Sequence, residues 1–271
     1  MSARKILRIA AAFLLCGIFL LALAAGRITP YSYAHQFREL PNACPSATHL
    51  LGTDSLGRDL FARLVYGTRV SLLLAPAAAL LSTLIAGALG GAAGFLGGWS
   101  EKAILAIADL SMAAPLLFVL IALRAVLPLD VAPLLSVIAT FLILGLLGWP
   151  ASLRVICAAT RDIRNSDFLL LARSTGCGPL RMIFHQIFPN LRPALLAQFW
   201  VSIPVFILTE ATLSMLGLGV REPMPSWGNL LRGLEDFSAV GSNPGRLAPL
   251  VMLTVVVICF QIILPSQEEL G

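Results

Sequence analysis

The sequence predicts an all-α, polytopic membrane bundle of about six helices, and three observations predict it. The first is composition: of 271 residues, 58% are hydrophobic and 12% charged, with a mean hydropathy of +0.89. A soluble domain carries about 25% charged residues, so one water-facing core cannot absorb this much apolar surface. The second is recurrence: six apolar runs of spanning length stand at 6–25, 70–96, 104–125, 131–147, 195–216 and 247–264. The third is that basic residues gather between those runs. The net charge of +5 is therefore spread over flanking segments, with no basic patch interleaved with aromatics, which argues against nucleic acid as a partner.

Taken in order, the first run follows Arg4, Lys5 and Arg8 and ends in Ala-x-Ala style, as a secretory signal does. Its length suits an uncleaved first transmembrane helix, residues 1–26. Residues 27–69 form an extracytoplasmic segment bearing "LGTDSLGRD", where Asp54, Arg58 and Asp59 are expected to pair on a short helix as surface ion pairs. In the second run, Gly90, Gly94 and Gly98 stand at small-xxx-small spacing, which lets helices approach closely within the bundle. Pro133 and Pro249 open the fourth and sixth helices, where a missing N–H costs little. The membrane core spans 70–265 and a short tail 266–271. The five cysteines show neither CxxC pairs nor Cys/His ligand spacing, so neither zinc nor a disulfide framework is expected.

Lys and Arg set the orientation. Arg154, Arg161, Arg164, Arg173, Arg181 and Arg192 fall between the fourth and fifth helices. This makes 150–193 a cytoplasmic loop and, with six spans, the N-terminus cytoplasmic too. Within it "LLLARSTGCGPLRMIFHQIFPN" reads as a helix-turn-helix. Ser166 is placed to cap a helix over 168–174, Gly176 to end it in a left-handed conformation, and Gly178 and Pro179 to start the next. Leu180, Ile183, Phe184, Ile187 and Phe188 then form one apolar stripe, with Arg181 and His185 on another face.

No residue set is catalytic: there is no GxxxxGK[ST] phosphate loop, no nucleophile–base pair and no metal-ligand run, so neither metal nor cofactor is expected. Two acids fall inside apolar runs, Asp109 and Glu210. Intramembrane carboxylates are costly and face water or a partner. Both are candidates for a translocation pathway, against local pairing of Asp109 with Lys102 or a helix terminus and a helix–helix hydrogen bond for Glu210. After the fifth helix, Gly217 and Gly219 allow turns, Pro223 and Pro225 stiffen a strut, and Trp227 suits an interfacial anchor. This stretch reads as an outer gate scaffold or a cap on the bundle.

Three stretches carry a family likeness: "PSATHLLGTDSLGRDLFARLVYGTRVSLLL", "LLLARSTGCGPLRMIFHQIFPN" and "TEATLSMLGLGVREPMPSWGNLL". In order and content they resemble the inner-membrane permease subunits of dipeptide and oligopeptide ABC importers, and Asp109 and Pro115 fall where that family has Asp and Pro. The resemblance implies a permease that moves peptides by alternating access. Its partners would be a second related permease, two ABC ATPases that bind the ATP, an extracytoplasmic solute-binding protein and membrane lipid. It also implies that the second stretch is the EAA-type coupling loop, with Phe168, Leu169, Leu170, Leu171, Ala172, Arg173, Gly176 and Arg181 as the ATPase-coupling residues. The chain departs from the family at Leu170, Leu171 and Ala172, which stand in place of Glu-Ala-Ala, at His185 and Gln186, and in the final residues. Nickel or another small solute is an alternative cargo. A secondary transporter would need inverted repeats that the sequence lacks, and a non-transporting scaffold would leave the coupling loop without a purpose.

Overall fold

The structure is a computed structural model that describes residues 3–113, 118–119, 121–122, 132–235 and 237–264. Among these there is no β-strand, only two isolated bridges, and five helical stretches are long and apolar enough to cross a membrane. The chain divides into two compact units. One comprises Met1–Ala75, Arg124–Phe141 and Pro204–Gly271, the other Pro76–Leu123 and Leu142–Ile203.

In the first unit, α1 (Ala3–Leu23) packs on α9 (Ala248–Ile263). The segment between α1 and α2 is ordered by hydrogen bonds within itself and from Asn243. Ala43 and Thr53 bond to each other, and Asn243 Nδ2 donates to the carbonyls of Ala43 and Leu51. Asp54, Arg58 and Asp59 do not share a short helix as expected. They lie in a tight turn whose ends are held by the Gln36–Arg58 and Thr53–Asp59 bridges. Asp54 Oδ1 accepts from the backbone N–H groups of Leu56 and Arg58, a local bonding habit of Asp that competes with helix. Asp59 instead caps α2 (Leu60–Leu96) by accepting from Ala62 N–H at 2.7 Å. The second helix thus starts ten residues before the predicted Val70, because the carboxylates of Asp54 and Glu222 receive Arg63 in its first turn.

In the second unit, α3 (Gly98–Ala113) and α5 (Trp149–Arg164) lie together. α3 begins before the expected 104; of the predicted third helix beyond Ala113 only residues 118–119 and 121–122 are described, and Pro115 falls outside the described residues. α4 (Pro133–Leu147), which belongs to the first unit as far as Phe141 and to the second from Leu142, opens on its proline as expected. The expectation of a loop over 150–193 is corrected by α5. Its buried residues Leu153, Ile156, Cys157 and Thr160 recur at helical spacing, while two of its arginines are neutralised by acids of α3. Arg161 pairs with the buried Glu101 and Arg154 with Asp109. Charge on one face disguised a packed amphipathic helix as a loop. The glycine ridge of α2 explains the close fit: a Cβ on Gly90 would stand 2.8 Å from the Leu153 carbonyl oxygen, and one on Gly94 2.6 Å from that of Cys157. Gly98 lies past the end of α2 and contributes nothing to that ridge.

Two further helices complete the path: α6 (Asp167–Ser174), and α7, which runs Pro179–Met182, a π-helical stretch Ile183–Ile187 and then Phe188–Met215. No break separates the second helix of the predicted helix-turn-helix from the fifth span. A short helix, α8 (Trp227–Leu231), comes next. All five cysteines are free thiols.

Candidate functional site

The elbow between α5 and α7 is built around one buried leucine. Leu169 is fully buried with Met182 and Ile187, and Phe95, Ile163, Cys177 and Ile183 pack around them. Ala172 is buried one turn further on. On the opposite side Phe168, Leu170 and Leu171 are 46%, 52% and 66% exposed. The short helix is therefore fixed from behind and presents an apolar knob in front. Asp167 in the first turn complements the helix dipole. Ser166 does not cap as expected; its hydroxyl donates to the Ile163 carbonyl of the preceding helix.

The turn has the geometry its glycine predicts. Gly176 has φ +77°, and Cys177 N–H reaches the Ala172 carbonyl at 3.1 Å, the six-to-one bond of a Schellman ending. Gly178 then caps α7 through its carbonyl, which accepts from Met182 N–H. Arg181 and His185 are both exposed; Arg173 lies on the helix between knob and turn. Met182 and Ile187 are five residues apart, one π-helical turn, so they share the buried side. The predicted stripe assumed a 3.6-residue period and grouped Phe184 and Phe188 with Ile187; Ile187 is buried, whereas both phenylalanines are exposed.

The second cluster sits at the far end of α7. Gly217, φ +78°, ends the helix, with Leu218 N–H bonded to the Leu213 carbonyl. The chain then folds back over the helix it has just left. Ser226 caps α8 in a reciprocal box with Asn229, and its hydroxyl donates to Glu210 Oε1 at 2.8 Å, which Ser214 Oγ also reaches. Gly219 and Gly228 lie so close to Ser214 that neither has room for a side chain. Pro225 is buried beside the cap. Trp227 is fully buried, its Nε1–H donating to Thr68 Oγ1 at 2.9 Å. That corrects the reading of Trp227 as an interfacial anchor: the strap turns inward, so the indole fills the core. Glu210, also fully buried, is the internal anchor of the strap.

Asp109 is more than half exposed and pairs with Arg154, not Lys102. It is nowhere near Glu210 in sequence and belongs to the other unit. A cluster that sequence reasoning missed joins the α2 start to the strap. Glu222 accepts from Arg58 Nη1 at 2.6 Å and from Arg63 Nη2 at 2.8 Å, and Arg58 Nε donates to Asp54 at 2.7 Å. Arg58, Arg63 and Asp54 are largely buried, so these are not the surface pairs expected. The one available signal was Arg63 itself, a cation in the first turn of a helix that otherwise reads as a membrane span.

With two long-range motifs folded as continuous units, likeness to known proteins decides the family. Residues 71–267 match the model for the binding-protein-dependent transport system inner membrane component. The chain belongs to this family. It is 34% identical over 222 residues to the dipeptide transport system permease protein DppC of Bacillus subtilis (strain 168), covering 82% of this chain and 68% of that one. Over 230 residues it is 34% identical to the oligopeptide transport system permease protein OppC of the same organism, 85% and 73% of the two chains. With the glutathione transport system permease protein GsiD of Pectobacterium atrosepticum it shares 30% over 261 residues, 96% and 84%. Membership makes this permease a multi-pass inner-membrane component of a transport system rather than an enzyme, and it implies ATPase and solute-binding partners.

Proposed function

We propose that this permease pairs with a second, related permease to carry short peptides across the membrane by alternating access, driven by two ATPases docked on elbows of this kind. The observation that carries the reading is the knob of Phe168, Leu170 and Leu171, exposed on a short helix whose other side is locked by Leu169. An apolar patch on a rigid lever calls for a partner surface. Because the elbow continues through Pro179–Met182 into α7 without a break, displacement of the knob is delivered to a membrane-spanning helix. ATP is bound and hydrolysed by the partners, and the chain needs no cofactor of its own. Relatives named for dipeptides, oligopeptides and glutathione support a short peptide as cargo. The arginines before α1 and around the elbow support a cytoplasmic N-terminus and elbow, with the strap and residues 27–59 on the other side. Glu210 and Asp109 contribute to this cycle as anchors of the strap and of the α3–α5 pair.

The test is co-purification. Leu171→Asp and Phe168→Asp, both at exposed positions, are expected to abolish recovery of the ATPase subunits with the permease while the permease extracts and unfolds as the parent does. Undiminished recovery would remove the elbow from the ATPase interface.

A further inference from the structure

Four arginines converge on one cavity that the coupling reading does not use. Its volume is about 210 Å³, and Arg58, Arg63, Arg232 and Arg246 line it together with Asp54 and Glu222. The two carboxylates do not neutralise this set. Asp54 is engaged by the Leu56 and Arg58 backbones and by Arg58 Nε, and Glu222 by Arg58 and Arg63. Among the described residues that line the cavity, four guanidinium groups face two carboxylates, which leaves two positive charges. Among the described residues neither Arg232 nor Arg246 has a carboxylate partner; Arg246 Nη2 donates to the neutral Asn42 Oδ1. Arg63 and Arg246 are only 2% and 7% exposed, yet the Nε–H of each is buried without an acceptor. Arg63 Nε lies 3.8 Å from Asp54 Oδ2, beyond hydrogen-bond range. A buried donor without an acceptor is uncommon because nothing offsets its desolvation.

We infer that this cavity is a binding site for a phosphate-type oxyanion. Guanidinium forks match tetrahedral oxyanions in geometry as well as charge. The volume lies below the roughly 300–1,000 Å³ of sites that enclose a drug-sized ligand, so it suits a headgroup rather than a whole peptide. Position gives the source. Arg246 and Pro249, both lining the cavity, lie at the start of the Pro244–Ile263 span, whose 20 residues are about the number needed to cross the hydrocarbon. That end of the span therefore sits at headgroup depth, where the oxyanion is supplied by a phospholipid or by free phosphate.

The experiment tracks the unfolding midpoint of the full-length permease in detergent at fixed ionic strength. The probes are inorganic phosphate, dioctanoyl phosphatidylglycerol, phosphate-free dioctanoylglycerol and an N-acetylated dipeptide. Saturable protection by the first two and none by the third is expected. Arg232→Gln, at an exposed position, should raise the half-saturating concentration about tenfold while leaving the ligand-free midpoint unchanged. Arg246→Lys, which keeps the charge and loses the fork, should weaken protection as well. Protection by the lipid at far lower concentration than phosphate identifies the headgroup as source, and equal potency identifies the free ion. Absence of saturable protection, protection unchanged in Arg232→Gln, or protection by the dipeptide without phosphate overturns the assignment. None of these outcomes depends on ATPase docking, so the two readings fail separately.

Discussion

Glu210 shows how one costly residue organises its surroundings. A carboxylate deep in a spanning helix has to be satisfied within the protein, and here a single oxygen, Oε1, accepts from Ser214 one turn away and from Ser226 across the strap. Glu210→Ala leaves two buried hydroxyls without their acceptor, so thermal unfolding of the purified variant should show a loss of about 1–3 kcal/mol. Glu210→Gln keeps an oxygen acceptor of the same size and should recover most of that loss. Gly228→Ala tests the same contact sterically: its Cβ would stand 2.5 Å from Ser214 Cβ and 2.7 Å from Ala211 Cα. Backbone cannot yield as a flexible side chain does, so an overpacking cost of about 1–3 kcal/mol is expected in the same assay. From the sequence, Glu210 stands out as an acid in an apolar run and Ser214 is visible at i+4. The partners of Ser226 and Trp227 were not legible, because they depend on the chain reversing after Gly217, and a tryptophan near the end of a span reads as a membrane-surface residue, as Trp227 does.

At the level of elements, the elbow separates two roles on one short helix. Leu169 faces Met182 and Ile187, so Leu169→Ala should cost about 2–5 kcal/mol through the cavity it leaves. Leu171→Ala, at an exposed site, should stay within about 0.5 kcal/mol in the same unfolding measurement. Equal losses would mean that α6 is not held from one side. The turn itself was legible: Gly176, Gly178 and Pro179 specify a helix end and a helix start, and the structure has both. The start of α7 was not, since an α-helical period assigns Phe184 and Phe188 to the core face and only the π-helical stretch brings Met182 and Ile187 together. α5 escaped notice for a related reason. Its arginines lower the local hydropathy, and the acids that balance them, Glu101 and Asp109, come from a helix some fifty residues earlier.

For the whole molecule, composition and the recurrence of apolar runs are enough to place the chain in a membrane, and three ordered motifs are enough to place it in its family. Hydropathy marks where helices are, whereas ion pairs and caps set where they begin; hence α2 extends to Leu60 and α7 back to Pro179. The long helices α2 and α7 each carry a proline where one compact unit gives way to the other, Pro76 and Pro204, positions at which a backbone hydrogen bond is missing. Under the proposed coupling, force applied at the elbow would enter α7 at Pro179, from which the helix runs without a break to Met215. The most direct measurement is ATP-driven uptake of a labelled dipeptide into proteoliposomes holding the assembled importer with Leu171→Asp in this subunit. Uptake at least about tenfold below the parent, with unfolding unchanged, is the predicted result, because removing one well-placed apolar anchor costs a partner interface more than 1 kcal/mol. Uptake at the parental rate would contradict a coupling role for the elbow.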